Sequence, residues 1–293
     1  MSLGELSAIG SAFLWALNGV LLKPLTARVP ALRITSLLYL VAAVFIIAVA
    51  LPLGKVTEAS HIPWLQLVGL LLAGCIGMGV GDTSYVQSLS SLGVSKAFPI
   101  STAGYILLVF LLAAVLLSEQ MTLMGLAGAV VLLTGIWLIV RSTSNEPSSS
   151  TASGSLRQGL MFAGLAAICW AVTTTILKLA LVDIDVLAAN VFRVPMVALL
   201  LTSANLRFYG WDFKVYDRRT VGIILLAGIT GIAASSMLFL YAIQEAGAAK
   251  TAVLSSTSPL FAAGLSLAFL GERMTASVAA GTILSVVGVW LVV

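Results

Sequence analysis

The sequence predicts an all-α integral membrane protein: ten transmembrane helices arranged as two inverted five-helix repeats around a central cavity. Three observations predict it. First, 60% of the residues are hydrophobic and 9% charged, with a mean hydropathy of +1.12. A soluble domain carries about 25% charged residues, so this chain cannot cover a water-facing surface. Second, its apolar stretches are each about the 20 residues that a helix needs to cross some 30 Å of hydrocarbon. Third, the chain repeats itself. Trp15 and Lys23 open the first half as Trp170 and Lys178 open the second, with the same spacing. Leu117-Ser118-Glu119-Gln120-Met121-Thr122 is echoed by Leu270-Gly271-Glu272-Arg273-Met274-Thr275, and Gly135-Ile136-Trp137 by Gly288-Val289-Trp290. Between them, Gly93 and Lys96 answer to Gly247 and Lys250.

Taken in order, the spans of the first half run roughly from Gly4 to Leu25, Leu32 to Leu53, Leu65 to Leu89, Ala97 to Leu117 and Leu123 to Val140. The first lacks a small-residue cleavage pattern and recurs in mid-chain, so it is expected to be a span rather than a signal peptide. The second half runs from Gln158 to Leu181, Val186 to Leu206, Val221 to Ile243, Thr251 to Leu270 and Ala276 to Val293. All are expected to be helices, because hydrocarbon offers no partner to an open strand edge. Residues 1–141 thus form one repeat and 157–293 the other. The intervening 142–156 segment is rich in Ser and Thr and holds Asn145, Glu146 and Pro147, a composition that builds no core and reads as a flexible linker. Because five is odd, the second repeat must enter from the opposite side, which makes the repeats inverted about an axis in the membrane plane. A second polar connection, with Arg207, Trp211, Asp212, Lys214, Asp217, Arg218 and Arg219, reads as an interfacial excursion.

The basic residues orient the chain. With the termini on one side, that side collects Lys55, Lys178, Arg193 and Lys250; the other collects Lys23, Arg28, Arg33, Lys96, Arg141, Arg157, Arg207, Lys214, Arg218, Arg219 and Arg273. Positive charge is retained in the cytoplasm, so both termini are expected outside, in a plasma membrane (the inner membrane if the cell is bacterial). The net charge of +4 therefore speaks of topology and gives no reason to expect nucleic acid. Cys75 and Cys169 fall in apolar spans, where a thiol acts as a small hydrophobe. The single His61 has no companions with which to hold a metal. No cofactor is expected.

The Trp-to-Lys opening of each half, the turn Gly81-Asp82-Thr83-Ser84-Tyr85 and the segment Leu92-Gly93-Val94-Ser95-Lys96-Ala97 resemble the drug/metabolite transporter superfamily, in particular its ten-helix EamA-type members. Glu245-Ala246-Gly247-Ala248-Ala249-Lys250-Thr251-Ala252, Ser258-Pro259-Leu260 and Leu270-Gly271-Glu272 extend the resemblance through the second half. It implies a carrier for a small molecule, with substrates ranging over amino acids, nucleotide sugars, other metabolites, drugs and lipid-linked sugars. One departure stands out. The small four-helix relatives place a coupling Glu in the first helix, where this chain has Asn18 and, in the second half, Thr173.

Helical spacing nominates the site. Ser11, Trp15 and Asn18 share a stripe of span one, and Ala166, Trp170 and Thr173 or Thr174 share the matching stripe of span six. Two such stripes would face each other across the axis, or the indoles would serve as packing residues. Asp82 is the sharpest candidate, since an ionisable group at bilayer depth is costly unless paired or used; it is expected to bind substrate or carry a proton, with Tyr85 one turn on sharing a hydrogen bond. Its alternative is a structural turn bonded to backbone donors near Gly79 and Gly81. Arg193 could grip a carboxylate or phosphate, snorkel, or pair with Asp82, Asp183 or Asp185. Tyr105, with Ser101 and Thr102, and Tyr241 with Gln244 add polar groups, as do Ser255 to Ser258. Pro259 suggests a kink, Glu119 and Glu272 suggest caps, and Lys23 and Lys178 are expected to snorkel. The ladder Gly69, Ala73, Gly77, Gly81 is expected to let helices approach closely, as are Gly125 and Ala129, the latter within the chain or in a homodimer.

The function this predicts is secondary transport of a small metabolite, an amino acid or similar amphipathic compound, by alternating access and in the export direction that the resemblance suggests. Proton coupling is possible, and the chain is a monomer or homodimer whose other partner is membrane lipid. There is no Walker motif for direct use of ATP. A flippase for lipid-linked sugar is the alternative within transport. A membrane-embedded enzyme would need a catalytic cluster, and one His and one deep Asp do not supply it. A channel would be expected to show rings of like groups.

Overall fold

In a computed structural model of the chain, the structure describes residues 2–116, 123–144, 155–210, 216–246, 251, 254–255, 257–271 and 275–292. These residues are helical almost throughout. The long helices are α1 (Leu3–Thr26), α2 (Ala31–Ala50), α3 (Trp64–Leu92), α4 (Val94–Leu116), α5 (Leu123–Ser144), α6 (Leu156–Ala180), α7 (Val186–Tyr209), α8 (Arg218–Ala246), α9 (Ser258–Leu270) and α10 (Ala276–Val292). A short helix, Lys55–Ala59, lies between α2 and α3. Helices α1, α2, α3, α6, α7 and α8 are each long and apolar enough to cross a membrane; the apolar parts of α4, α5, α9 and α10 are shorter. The outward faces carry large apolar side chains, such as Val44, Phe208 and Phe269, as a lipid-facing surface must. The linker residues 145–154, and with them Asn145, Glu146 and Pro147, lie outside the described residues, as do Glu119, Gly247, Lys250 and Glu272.

The ends of the helices follow from local chemistry. Ser2 caps α1, its Oγ accepting from the Glu5 amide at 3.2 Å while Glu5 accepts from the Ser2 amide at 2.9 Å. Asp217 and Asp185 cap α8 and α7, their carboxylates accepting from the Thr220 amide and from the Leu187 and Ala188 amides. Gly271 ends α9 in the left-handed region, φ 62°, which explains why Gly stands in the Leu-Gly-Glu segment. Pro259 is a correction. It occupies the first turn of α9, where a missing N–H costs nothing, rather than the interior of that helix.

Helices α3 and α8 share an unexpected feature. Each is interrupted by eight residues of π-helix, Gly74–Gly81 in α3 and Ala227–Ala234 in α8. These segments occupy equivalent places in the two halves. Their sequences are rich in Gly and Ala, which allow the wider i→i+5 turns and the close approach of neighbours.

Packing crosses between the halves. Helix α1 packs on α8 and α9, and α6 on α3 and α4, so the first helix of each half sits between the third and fourth of the other. The α2–α7 and α5–α10 pairs join equivalent helices. In the latter the backbones nearly touch: a Cβ on Gly135 would lie 2.6 Å from the Gly281 carbonyl, and one on Gly288 would lie 2.5 Å from the Leu132 amide. The duplicated Gly-x-Trp of each half thus supplies a glycine to an internal contact, while Trp137 and Trp290 face outward, about half exposed at 53% and 54%. The α3 ladder behaves as its spacing predicts. Gly69 faces Ala180, Gly77 faces Thr173 and Gly81 faces Trp170 and Cys169, all on α6.

Candidate substrate cavity

Where α1, α2, α3, α4, α6, α7, α8 and α9 converge they leave a cavity of about 210 Å³. An apolar void of about 150 Å³ admits benzene, so this one has room for a somewhat larger molecule. Its wall is mostly aromatic and aliphatic. Trp15, Tyr39, Tyr85, Phe98, Tyr105, Trp170 and Phe239 supply the rings, and Asn18, Asp82, Thr173 and Arg193 supply the principal polar groups. Eight of the nine sequence-nominated residues therefore meet in one place: Trp15, Asn18, Asp82, Tyr85, Tyr105, Trp170, Thr173 and Arg193. Tyr241 does not. It points away, 38% exposed, and Phe239 and Leu240 take the lining positions instead. Gln244 is likewise not in the wall and donates to the Ile184 carbonyl at 3.1 Å.

Asp82 is the first residue after the α3 π segment, and it joins the two halves. Trp170 Nε1 of α6 donates to its Oδ1 at 2.7 Å, and the Tyr39 hydroxyl of α2 donates to its Oδ2. Both expectations for its partners are corrected by this. Neither Tyr85 nor the backbone near Gly79 and Gly81 serves it; the Gly79 carbonyl instead accepts from Thr83 at 2.6 Å. Tyr85 contributes its ring, edge-on to Phe98 at 5.8 Å and tilted against Trp170 at 5.6 Å. Tyr39 is the cavity-wall partner of Asp82 that sequence reasoning missed. It lies in an apolar run, 1% exposed, and only its long-range contact with Asp82 gives it a role.

Arg193 is buried, 3% exposed, and reaches the Ser236 hydroxyl through Nη2 at 3.0 Å. It does not pair with an acid. Among the described residues the salt bridges are those of Lys55, with Glu58 at 2.6 Å and Asp185 at 2.9 Å. Gly74 makes room for Arg193, since a Cβ there would sit 2.9 Å from its Cγ.

Two reciprocal clasps bound the cavity. Thr173 of α6 rests on Gly77 in the α3 π segment and donates to the Ala73 carbonyl at 3.0 Å. Asn18 of α1 rests on Gly231 in the α8 π segment, so close that no Cβ fits between them. The first helix of each half thus leans on the π segment of the other. Tyr105 closes another side, its hydroxyl 3.1 Å from Thr174 Oγ1.

The basic residues near the helix ends are used rather than left to snorkel. Lys23 donates to the Leu89 carbonyl in the last turn of α3, and Arg33 donates to the Tyr209 carbonyl at 2.9 Å at the end of α7. Both are places where a cation suits the helix dipole. The side chain of Lys178 lies outside the described residues. Beyond the spans, Asp185 ties the α6–α7 connection to the short helix through Lys55. Partial burial opposes its charge, but the Ala188 and Leu187 amides and the Lys55 ammonium outweigh it and hold the carboxyl below its ordinary range.

The pattern of the EamA-like transporter family matches residues 2–141 and again residues 157–293. An uncharacterized transporter of Archaeoglobus fulgidus is 29% identical over 294 residues, covering 98% of this chain and 96% of its own. Probable glucose uptake proteins GlcU of Bacillus cereus and Bacillus anthracis are 22% identical, each over 75% of both chains. A crystal structure of a protein 17% identical superposes with a TM-score of 0.70 over 98% of this chain and 95% of its own, a likeness of fold.

Proposed function

The chain belongs to the EamA-like transporter family, and we propose that it is a secondary transporter carrying a small amphipathic metabolite, an amino acid or similar compound, by alternating access around this cavity. The observation that carries the proposal is Asp82, bonded at once by Tyr39 of the first half and Trp170 of the second at the cavity wall. An ionised carboxylate makes two charge-assisted bonds there, which are roughly twice as strong as neutral ones. A proton on Asp82 would weaken them, Trp170 would be released, and α6 could move against α3. Substrate movement and proton movement would then share one latch. The two clasps at Gly77 and Gly231 support rocking of one half against the other, as expected of inverted repeats. Export across the plasma membrane, with both termini outside, remains the direction and orientation proposed.

The glucose uptake proteins favour a second reading, a sugar carrier. A pyranose ring also stacks on indoles and bonds to Asp and Asn. The wall, however, is dominated by aromatic and aliphatic groups and offers few partners for five hydroxyls, which supports the amphipathic substrate.

The test is uptake into proteoliposomes of amino acids, organic acids, amines and D-glucose, with and without a pH gradient, for wild type and Asp82→Asn. Saturable uptake of amphipathic compounds that follows the gradient in wild type, and ignores it in the variant, is the expected result. Uptake of glucose alone would favour the second reading. Transport indifferent to both gradient and variant would leave a facilitator with Asp82 as a structural latch.

A further inference from the structure

The cavity wall holds one cation, Arg193, which makes no salt bridge among the described residues. Arg193 has five N–H donors, yet among the described residues it makes one hydrogen bond, to Ser236, and its buried Nε has none. Among the described residues Asp82 is the one carboxylate of the cavity wall; it makes no salt bridge with Arg193 and is already served by Tyr39 and Trp170. The duplication explains how this arose. In the second half, the place of Asp82 is taken by Ser236, so the guanidinium has a hydroxyl where the first half has an acid. Two further polar atoms in the wall lack partners, Asn18 Oδ1 and Ser255 Oγ. Burying such groups unmet is costly unless something visits them.

We infer that the transported molecule presents a carboxylate to Arg193, and that the cavity therefore selects amphipathic acids, α-amino acids among them, over neutral sugars and amines. This rests on the carrier reading and names its substrate class. The planar guanidinium suits a carboxylate, which can take Nε–H together with a terminal N–H. Asn18 Oδ1 is an acceptor, fit for the ammonium of an amino acid, and Ser255 can donate to the acid. The aromatic wall then covers the apolar part of the molecule. Arg193 itself also answers the charge of Asp82 across the cavity, so the site is electrically balanced both empty and with a zwitterion bound.

The test is ligand-induced thermal stabilisation of the full purified chain, using two matched sets. One is L-leucine, leucinamide, 3-methylbutylamine and 4-methylpentanoate. The other is L-phenylalanine, phenylalaninamide, phenethylamine and 3-phenylpropanoate, with D-glucose as the neutral probe. At least one set should show the amino acid and the acid binding about tenfold or more tighter than the amide and the amine, as for loss of a charge-assisted contact. Arg193→Gln should remove that preference, and Arg193→Lys should keep it in weakened form. If Arg193→Gln does not fold, Arg193→Lys decides, by weakening the amino acid and the acid selectively relative to the amide and the amine. Amines or glucose binding as well as acids, no binding in either set, or an acid preference untouched in Arg193→Gln would each overturn the inference. Proteoliposomes separate the two failures. Glucose or amine uptake without acid uptake sinks the carboxylate anchor and spares the carrier, whereas no uptake of any solute sinks the carrier.

Discussion

The contact between Gly77 and Thr173 permits a worked prediction, because the structure gives no slack there. A Cβ at position 77 would lie 2.5 Å from Thr173 Oγ1, 2.8 Å from its Cγ2 and 2.9 Å from its Cβ. Carbon atoms are comfortable at about 3.5–4.0 Å, so Gly77→Ala demands a separation of up to about 1 Å. No rotamer of Thr173 relieves this, since its own Cβ is among the offending atoms; the backbones of α3 and α6 must part. Overpacking of that kind costs about 1–3 kcal/mol. Parting also stretches the 3.0 Å bond from Thr173 to the Ala73 carbonyl, for about 1 kcal/mol more. The expected loss is about 2–4 kcal/mol.

The assay is heat-induced loss of the monodisperse protein in detergent, run as a double-mutant cycle with Thr173→Gly. The single variant Thr173→Gly costs its hydrogen bond and some helix propensity, on the order of 2 kcal/mol. In combination, the new methyl has the space that Thr173 vacated, so the pair should be more stable than the sum of the singles by at least about 1 kcal/mol. A Gly77→Ala protein as stable as wild type, or a coupling within about 0.5 kcal/mol of zero, would refute the claim that α3 and α6 are in backbone-limited contact.

Three more outcomes are expected. Trp170→Phe keeps a ring in the wall but deletes the donor to Asp82, and should cost about 1.5–3 kcal/mol, as for a hydrogen bond to a charged group; a transport rate and pH response equal to wild type would remove Trp170 from the latch. Gly288→Leu forces α5 from α10 where a Cβ would already be 2.5 Å from the Leu132 amide, and should prevent stable folding, which size-exclusion after detergent extraction reports. The Asp185 carboxyl is held below its ordinary value, so its contribution is complete above about pH 4 and lost as pH falls through the lower folded value. Its side chain is 34% exposed, so solvent screens the bridge to Lys55, and the cap of α7, worth about 1 kcal/mol, is the larger part. Thermal stability of wild type should thus decline on acidification more steeply than that of Asp185→Asn, and parallel declines would count against the clamp.

The membrane class and the content of the two halves were legible because they depend on composition and on repetition, which need no contact information. Most of the cavity was legible for a related reason. Trp15 and Asn18, like Trp170 and Thr173, lie on regular α-helix, and there a spacing of three or four residues does fix a common face. Legibility was incomplete in α3 and α8. Nothing in Gly74–Gly81 announces i→i+5 bonding rather than a plain glycine ladder; Asp82 and Tyr85 beyond it do reach the cavity, whereas the nominated Tyr241 of α8 lies on the outer side. Tyr39 was invisible for a different reason. An apolar run conceals one hydroxyl unless its partner 43 positions away is known to be adjacent. The pairing of Arg193 with Ser236, rather than with any of the acids weighed from the sequence, required the third dimension for the same cause.

The departures from repetition bear on direction as much as on specificity. A carrier whose halves were identical in sequence as well as backbone would have two end states of equal energy, with the halves exchanging roles. Here equivalent positions carry Asn18 against Thr173 and Asp82 against Ser236. Thr173 satisfies a carbonyl of the opposing helix, while Asn18 Oδ1 has no partner. Trp170 bonds to an acid, while Trp15, its counterpart, packs against Phe239 at 4.8 Å. Exchange of roles would break the first member of each pair without offering the second an equal replacement. A charge-assisted bond exceeds a neutral one by about 1 kcal/mol, and a difference of 1.4 kcal/mol is a tenfold bias in population. On the alternating-access reading, that bias falls on the state described here while Asp82 is ionised, and a proton on Asp82 is what removes it. On that reading, the same substitutions that spoil the symmetry would give the cycle an order, and would leave Arg193 as the group a substrate must satisfy along the way.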